Sequence, residues 1–142
     1  MSLKNFIIAY LSTVLVFLGI DAVWLMFIIM DFYQAQLGDA LLDKPNFGIA
    51  AGFYLIYTAG IVYFAVRPGL AAASWRVALV NGAFLGLLCY GTYDITNLAT
   101  LKAWNWKIAA VDIPWGIFLT GTSALGGYAL TRLFSPTTTT DS

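Results

Sequence analysis

Long apolar stretches alternate with short polar ones along this chain. The first runs from about Phe6 to Met30, between Lys4 and Asp31, and the second from about Phe47 to Val66, closed by Arg67-Pro68-Gly69. A third runs from about Val77 to Leu98 after Trp75-Arg76, and a fourth from about Ile108 to Leu133 before Phe134. Each is close to the ~20 residues a helix needs to cross the hydrocarbon core of a bilayer. The pattern predicts an all-α polytopic membrane protein, a four-transmembrane-helix bundle forming one domain over residues 1–134.

Between the first two stretches, residues 31–46 are too polar to span. Tyr33, Leu37, Ala40 and Leu41 nevertheless recur at i, i+4, i+7 and i+8, the spacing of one helical face. This predicts a short interfacial helix between spans one and two, broken by Lys44-Pro45-Asn46, because proline disfavours helical geometry at the residue before it. The tail from Ser135 to Ser142 is short and polar and is expected to be disordered. Lys4 followed by an apolar run resembles the start of a signal peptide, but the apolar character continues past Ala22, so the segment reads as a retained anchor.

Composition narrows the class further. Apolar residues make up 61% of the 142-residue chain, aromatics 16% and charged residues only 10%, with a mean hydropathy of +0.82. Those values are far from soluble averages, so the bilayer is the first expected partner. Seven Lys and Arg balance seven acidic residues, and no basic stripe is present, which argues against nucleic-acid binding. Histidine is absent and Cys89 is the single cysteine, removing the usual zinc and haem ligands, the usual neutral-pH general base and any intrachain disulfide. No phosphate-cradling glycine loop or Ser-His-Asp set appears.

Three aspartates stand out against this background. Asp21 lies in the second half of span one, Asp94 near the end of span three and Asp112 near the start of span four. Antiparallel alternation brings all three toward one membrane face. A carboxylate at the centre of a spanning helix costs about 2.5–3.5 kcal/mol on insertion scales and usually faces a bundle interior, a partner charge or water. Fifteen Leu, Ile, Phe and Val residues between Phe6 and Met30 outweigh that penalty for Asp21, at roughly −0.3 to −0.6 kcal/mol each. Asp21 is the deepest, ten residues before Asp31 or about 15 Å along a helix. It has no capping role there and must be paired, protonated or solvated.

The same motif occurs around Asp21 and Asp112. Asp21, Trp24 and Phe27 repeat as Asp112, Trp115 and Phe118, so each acid would have an indole N–H, a donor only, on its own helical face. Tyr90 and Asn97 share a face with Asp94, and Lys102 and Lys107 in the following loop are the natural counter-ions. Against these functional readings stand structural ones. Pro114 suits a first helical turn, which would make Asp112 the N-cap of a helix from Ile113; a helix starting near Trp106 would instead place Pro114 inside it and free the carbonyl of Ala110. Asp94 could belong to a structural network with Thr92 or Thr96. Tyr54, Tyr57, Tyr63 and Asn81 read as structural polar groups of spans two and three. Gly82 and Gly86, with the stripe Gly116, Thr120, Ala124 and Gly127, read as small residues that let helix backbones approach.

Basic residues set the expected orientation. Lys4, Arg67, Arg76 and Arg132 fall on the side of the termini, against Lys44, Lys102 and Lys107 opposite. The positive-inside rule then places both termini in the cytoplasm.

The segments Gly19-Ile20-Asp21-Ala22-Val23-Trp24-Leu25, Gly91-Thr92-Tyr93-Asp94-Ile95-Thr96-Asn97-Leu98-Ala99-Thr100 and Val111-Asp112-Ile113-Pro114-Trp115-Gly116 resemble the pattern of a family of small predicted bacterial inner-membrane proteins of unknown function. The resemblance runs from span one through span four. It implies a multi-pass protein of the bacterial inner membrane with four helices, and it transfers no catalytic or binding residue.

Three kinds of function fit these residues. In the first, the acids form an intramembrane site that binds or transports an ion or small polar solute, with Asp21, Asp94, Asp112, Trp24, Trp115, Tyr90 and Asn97 as candidates for ligand binding or proton exchange, the exchange centred on Asp21 or Asp94, and a homo-oligomer or membrane partner completing it. In the second, a lipid-acting enzyme uses Asp94 or Asp112 as a general base or as a ligand to a hard cation such as Mg²⁺. In the third, the acids stabilise an accessory subunit. The first ranks ahead, an enzyme is not the favoured reading, and no cofactor or metal site is predicted.

Overall fold

The four helices that begin from non-helical chain each start where a side chain accepts an orphan N–H of the first turn. In the computed structural model, which describes residues 1–136, Ser2 accepts from the Asn5 N–H at 3.2 Å and opens α1 (Leu3–Val23). Asn46 accepts from Ile49 at 3.1 Å and opens α3 (Phe47–Ile61). Ser74 opens α5 (Trp75–Thr100) and Asn105 opens α6 (Trp106–Phe134) in the same way, at 3.4 and 3.1 Å. Between them, α2 (Met30–Leu37) follows α1 and α4 (Arg67–Ala71) follows α3.

The expected interfacial helix does not form a separate element. A π-helical stretch, Trp24–Ile29, joins α1 directly to α2, and helix continues to Leu37. The chain leaves α-helix at Gly38, whose φ of +51° suits a residue without a Cβ, and a single 3-10 turn, Gly38–Ala40, ends the helical stretch. The break falls inside the periodic set, after Tyr33 and Leu37 but before Ala40 and Leu41 and ahead of the expected Lys44-Pro45-Asn46 breaker; helix passes through Asp31 because one acid in an exposed helical turn costs little, whereas interrupting the helix there would orphan several backbone groups.

A second π-helical stretch, Val62–Val66, joins α3 to α4. Just beyond it, Pro68 has no N–H, so the carbonyl of Phe64 loses its α-helical donor. The Asn81 side-chain amide of α5 donates to that carbonyl at 3.2 Å. Asn81 thus repairs a defect built into the neighbouring helix. Asn81→Ala should lower stability by about 1 kcal/mol, read as a shift in the unfolding midpoint in detergent. Wild-type stability in that variant would remove the repair role.

Among the described residues, three helical stretches are long and apolar enough to cross a membrane: Leu3–Ala40, Phe47–Ala71 and Trp106–Phe134. The stretch expected as span three, α5, is about as long at 26 residues but is not among them; Asn81 and Asp94 fall within its most apolar part. The chain is a multi-pass membrane protein that turns many large apolar side chains outward: Leu15, Phe27, Ile49, Ile56, Phe84 and Phe118 are all exposed. Such a surface is stable only against lipid.

The small-residue positions meet each other across α5 and α6. A methyl group added at Gly82 would lie 2.6 Å from the Ala124 methyl and 2.9 Å from the Thr120 carbonyl oxygen, and one at Gly86 would overlap the Gly116 carbonyl. Around this contact α1 and α3 close the bundle. Phe17, Ile61, Val62, Val66 and Leu119 are fully buried in one cluster, with Tyr54 and Tyr57 edge-on to Phe17 at ring separations of 5.1 and 5.6 Å.

Two hydrogen bonds hold the ends of the bundle in register. Asn105 donates to Gln36 at 3.0 Å, placing the α5–α6 connection beside the end of α2. At the opposite end Ser135, which the sequence assigned to the disordered tail, donates its hydroxyl to Asn5 Oδ1. The tail from residue 137 onward lies outside the described residues.

Candidate functional site

The bundle does not pack tightly over its whole length. At the end that carries the α2 and α5–α6 connections it leaves a cavity of about 740 Å³ that opens to the outside past the exposed side chains of Phe53, Leu88 and Tyr93. Asp21 of α1 and Asp112 of α6 both line it, and its walls are mainly aromatic, including Trp24, Tyr54, Tyr90 and Trp115. Among the lining residues, all of them described, there is no lysine or arginine.

Asp21 is only 4% exposed. Its Oδ1 accepts from the Trp115 indole N–H at 3.4 Å, Tyr54 borders the same carboxyl, and its Oδ2 is buried without a partner. The repeated motif therefore pairs across helices: the indole on Asp112's own face reaches the acid of α1. Trp24, the other indole, stacks flat on Trp115 with centroids 4.0 Å apart and planes 7° from parallel. The two indoles form one slab beside Asp21, and Phe118 extends it at 5.7 Å from Trp115.

Asp112 is held differently. Its Oδ1 accepts from the Tyr33 hydroxyl at 3.0 Å. Asp112 is no N-cap, because α6 begins two turns earlier at Asn105 and carries Pro114 in its interior. The polar side chain of Asn105, already committed to capping, lets the helix start at Trp106 without help from Asp112.

Asp94 adjoins Asp112 and Trp104 but lies behind the cavity wall, fully buried. Neither of its oxygens, nor the Trp104 Nε1, has a hydrogen-bond partner. Tyr90 lines the cavity, whereas Asn97 sits half-buried beside Tyr93 and does not. Lys102 and Lys107 are exposed, and with both Asp94 oxygens unpartnered they do not serve as its counter-ions. Long, strongly hydrated ammonium groups remain in solvent where the loop and helix start allow it. Thr92 does not serve Asp94 either; its hydroxyl donates to the Leu88 carbonyl of its own helix at 2.5 Å. Among the described residues, no three metal-ligating side chains come together.

Tyr33 is the site residue that sequence reading passes over, and the π-helical stretch explains why. Twelve residues separate it from Asp21, which on an uninterrupted α-helix puts the two about 120° apart. A π-bulge absorbs one residue, leaving them within about 20° of one face. Periodicity counted at a constant 100° per residue cannot find that alignment. Tyr93 and Trp104, edge to face at 5.5 Å, were also unmarked, since their meeting depends on the loop after α5.

A family model described as "Predicted membrane protein (DUF2177)" matches residues 6–129, and the chain belongs to that family. No curated protein and no solved structure matches the chain.

Proposed function

We propose that this member of the DUF2177 family binds a small organic cation inside its bundle, with Asp21 as the charge partner and the Trp24–Trp115 slab as the recognition surface. The carrying observation is the Asp21 Oδ2, buried without a partner in an aromatic cavity that has no basic side chain of its own. An uncompensated carboxylate in that setting favours a ligand that brings the missing positive charge. Aromatic faces stabilise cations by about 0.5–2 kcal/mol each when water is excluded. A volume of about 740 Å³ is the size of an organic ligand site rather than that of a bare ion.

In this reading α5 crosses the membrane beside the three apolar stretches, its polar face turned to the cavity and to α6. The protein then has four spans in a bacterial inner membrane, with both termini cytoplasmic. The cavity lies toward the periplasmic end. A lipid-acting enzyme is less well supported, because Asp112 is engaged by Tyr33 and Asp94 lies behind the wall.

The test is calorimetric titration of the purified full chain in detergent with tetraphenylphosphonium as the probe, and with a neutral aromatic solute of similar size beside it. Wild type should prefer the cation. Asp21→Asn preserves shape and one acceptor but removes the charge, so affinity for the cation should fall about 10–100-fold, the worth of a charge-assisted contact. Equal affinity of wild type and Asp21→Asn, or no preference over the neutral solute, would overturn the reading.

A further inference from the structure

The end of the bundle opposite the acids carries a second cavity of about 480 Å³. Arg67 of α4 and Arg132 of α6 both line it, together with Ser2, Asn5, Thr131 and Ser135. Its lining is basic and hydroxyl-rich, with no carboxylate among the described residues, whereas Asp21, Asp94 and Asp112 all belong to the other half. The two cavities are chemically complementary opposites.

Both arginines are placed by the same local device. Tyr63 precedes Arg67 by four residues and Tyr128 precedes Arg132 by four, so each guanidinium can lie over a ring one helical turn back. Arg67 Cζ sits 4.1 Å from the Tyr63 ring centroid and Arg132 Cζ 5.8 Å from that of Tyr128. Arg132 also donates to the Tyr128 hydroxyl at 3.3 Å. Arg67, resting on a ring face, keeps its planar fork of edge donors free, and Arg132 spends one donor on the Tyr128 hydroxyl and keeps the others, a donor set that suits phosphate oxygens. The α1 N-terminus adds to the same cavity through Ser2 and Asn5. The Ser135–Asn5 hydrogen bond ties the end of α6 to the start of α1 and so fixes the cavity wall.

We infer that this cavity is a phosphate site, and that the bearer of the phosphate is an anionic phospholipid headgroup. Leu3, Leu133 and Phe134, next in sequence to the lining residues Ser2, Arg132 and Ser135, are 76%, 69% and 65% exposed. They offer an apolar surface along which acyl chains can lie while the headgroup turns into the cavity. Lys4 and Arg76 lie at the same end and outside the lining, so they supply general attraction without forming the site. Arg76 sits over Trp75 at 5.4 Å and is the natural control, equal in charge and similar in setting.

The full chain would be purified into detergent and mixed with phosphatidylglycerol or phosphatidylcholine, and retained lipids counted by native mass spectrometry. A parallel arm would follow thermal stabilisation by each lipid and by inorganic phosphate. Phosphatidylglycerol should be retained in preference to phosphatidylcholine. Arg67→Gln and Arg132→Gln should each weaken retention about tenfold, Arg67→Lys should fall between, and Arg76→Gln should match wild type. Stabilisation by inorganic phosphate alone that Arg67→Gln abolishes, with no added effect of phosphatidylglycerol, would keep the phosphate site and overturn the lipid. Equal losses in Arg76→Gln and Arg67→Gln, or equal retention of the two lipids, would overturn the site, leaving only diffuse attraction. Arg67→Lys guards against a folding artefact, since it retains charge and helix propensity.

Discussion

Gly86→Ala should destabilise the bundle severely, and Gly86→Val should prevent its accumulation as a folded protein. The methyl group of alanine already overlaps the Gly116 carbonyl oxygen and comes within 2.9 Å of the Thr120 Cβ. Overpacking commonly costs about 1–3 kcal/mol when side chains can move aside. Here the obstacle is the backbone of α6, which can yield only if the two helices separate and give up the contact along Gly82 and Ala124. The expected loss therefore exceeds about 3 kcal/mol. Gly91, in the same helix, has nothing within 4 Å of an added methyl, and Gly91→Ala should be neutral or stabilising by up to about 1 kcal/mol through helix propensity. Folded yield and the unfolding midpoint of the three variants in detergent decide the matter. Wild-type behaviour of Gly86→Ala would mean that the helices do not approach this closely.

Trp115→Ala should have the next largest effect. The substitution removes half of the indole slab, the contact with Phe118 and the N–H that Asp21 Oδ1 accepts. Truncating a packed tryptophan costs about 3–5 kcal/mol, and Trp115 falls at the low end because one side of it faces a cavity. Loss of its N–H also strips the buried Asp21 carboxyl of that donor, a penalty of about 1–3 kcal/mol. Trp115→Phe keeps an aromatic face against Trp24 and should show mainly that second penalty. Near-ultraviolet circular dichroism offers a direct check, because two indoles 4.0 Å apart and nearly parallel couple strongly. The coupled signal should vanish in Trp24→Phe and in Trp115→Phe alike. A wild-type spectrum in either variant, or wild-type stability in Trp115→Ala, would show that the slab does not form.

The relation between chain and fold differs from feature to feature. Membrane residence follows from composition alone, since an apolar surface of this extent has no stable alternative to lipid. Whereas the sequence leaves the start of α6 open between Trp106 and Ile113, the helix start after Asn46, the close approach at Gly82 and Gly86, and the gathering of Asp21 with Asp112 were legible for a similar reason. They depend on short-range chemistry or on the simple alternation of antiparallel helices. The three acids differ in their final settings because those settings are tertiary. Asp21 lines the cavity with one oxygen unpartnered, Asp112 accepts from Tyr33, and Asp94 lies behind the wall.

What the sequence by itself determined is therefore the solvent, the helical class and which end of the bundle holds the acids. Only the tertiary structure decided which indole serves which acid, that α2 continues α1, and that Tyr33 reaches Asp112. The physical reason is the π-helical stretch at Trp24–Ile29. It shifts helical phase by about one residue, so every face assignment beyond it depends on a backbone event that periodicity at a constant 100° per residue does not encode. The basic cavity is another case of the same kind. Tyr63-Arg67 and Tyr128-Arg132 are readable as two separate helical pairs, but the alignment of α4 with the end of α6 makes them one site.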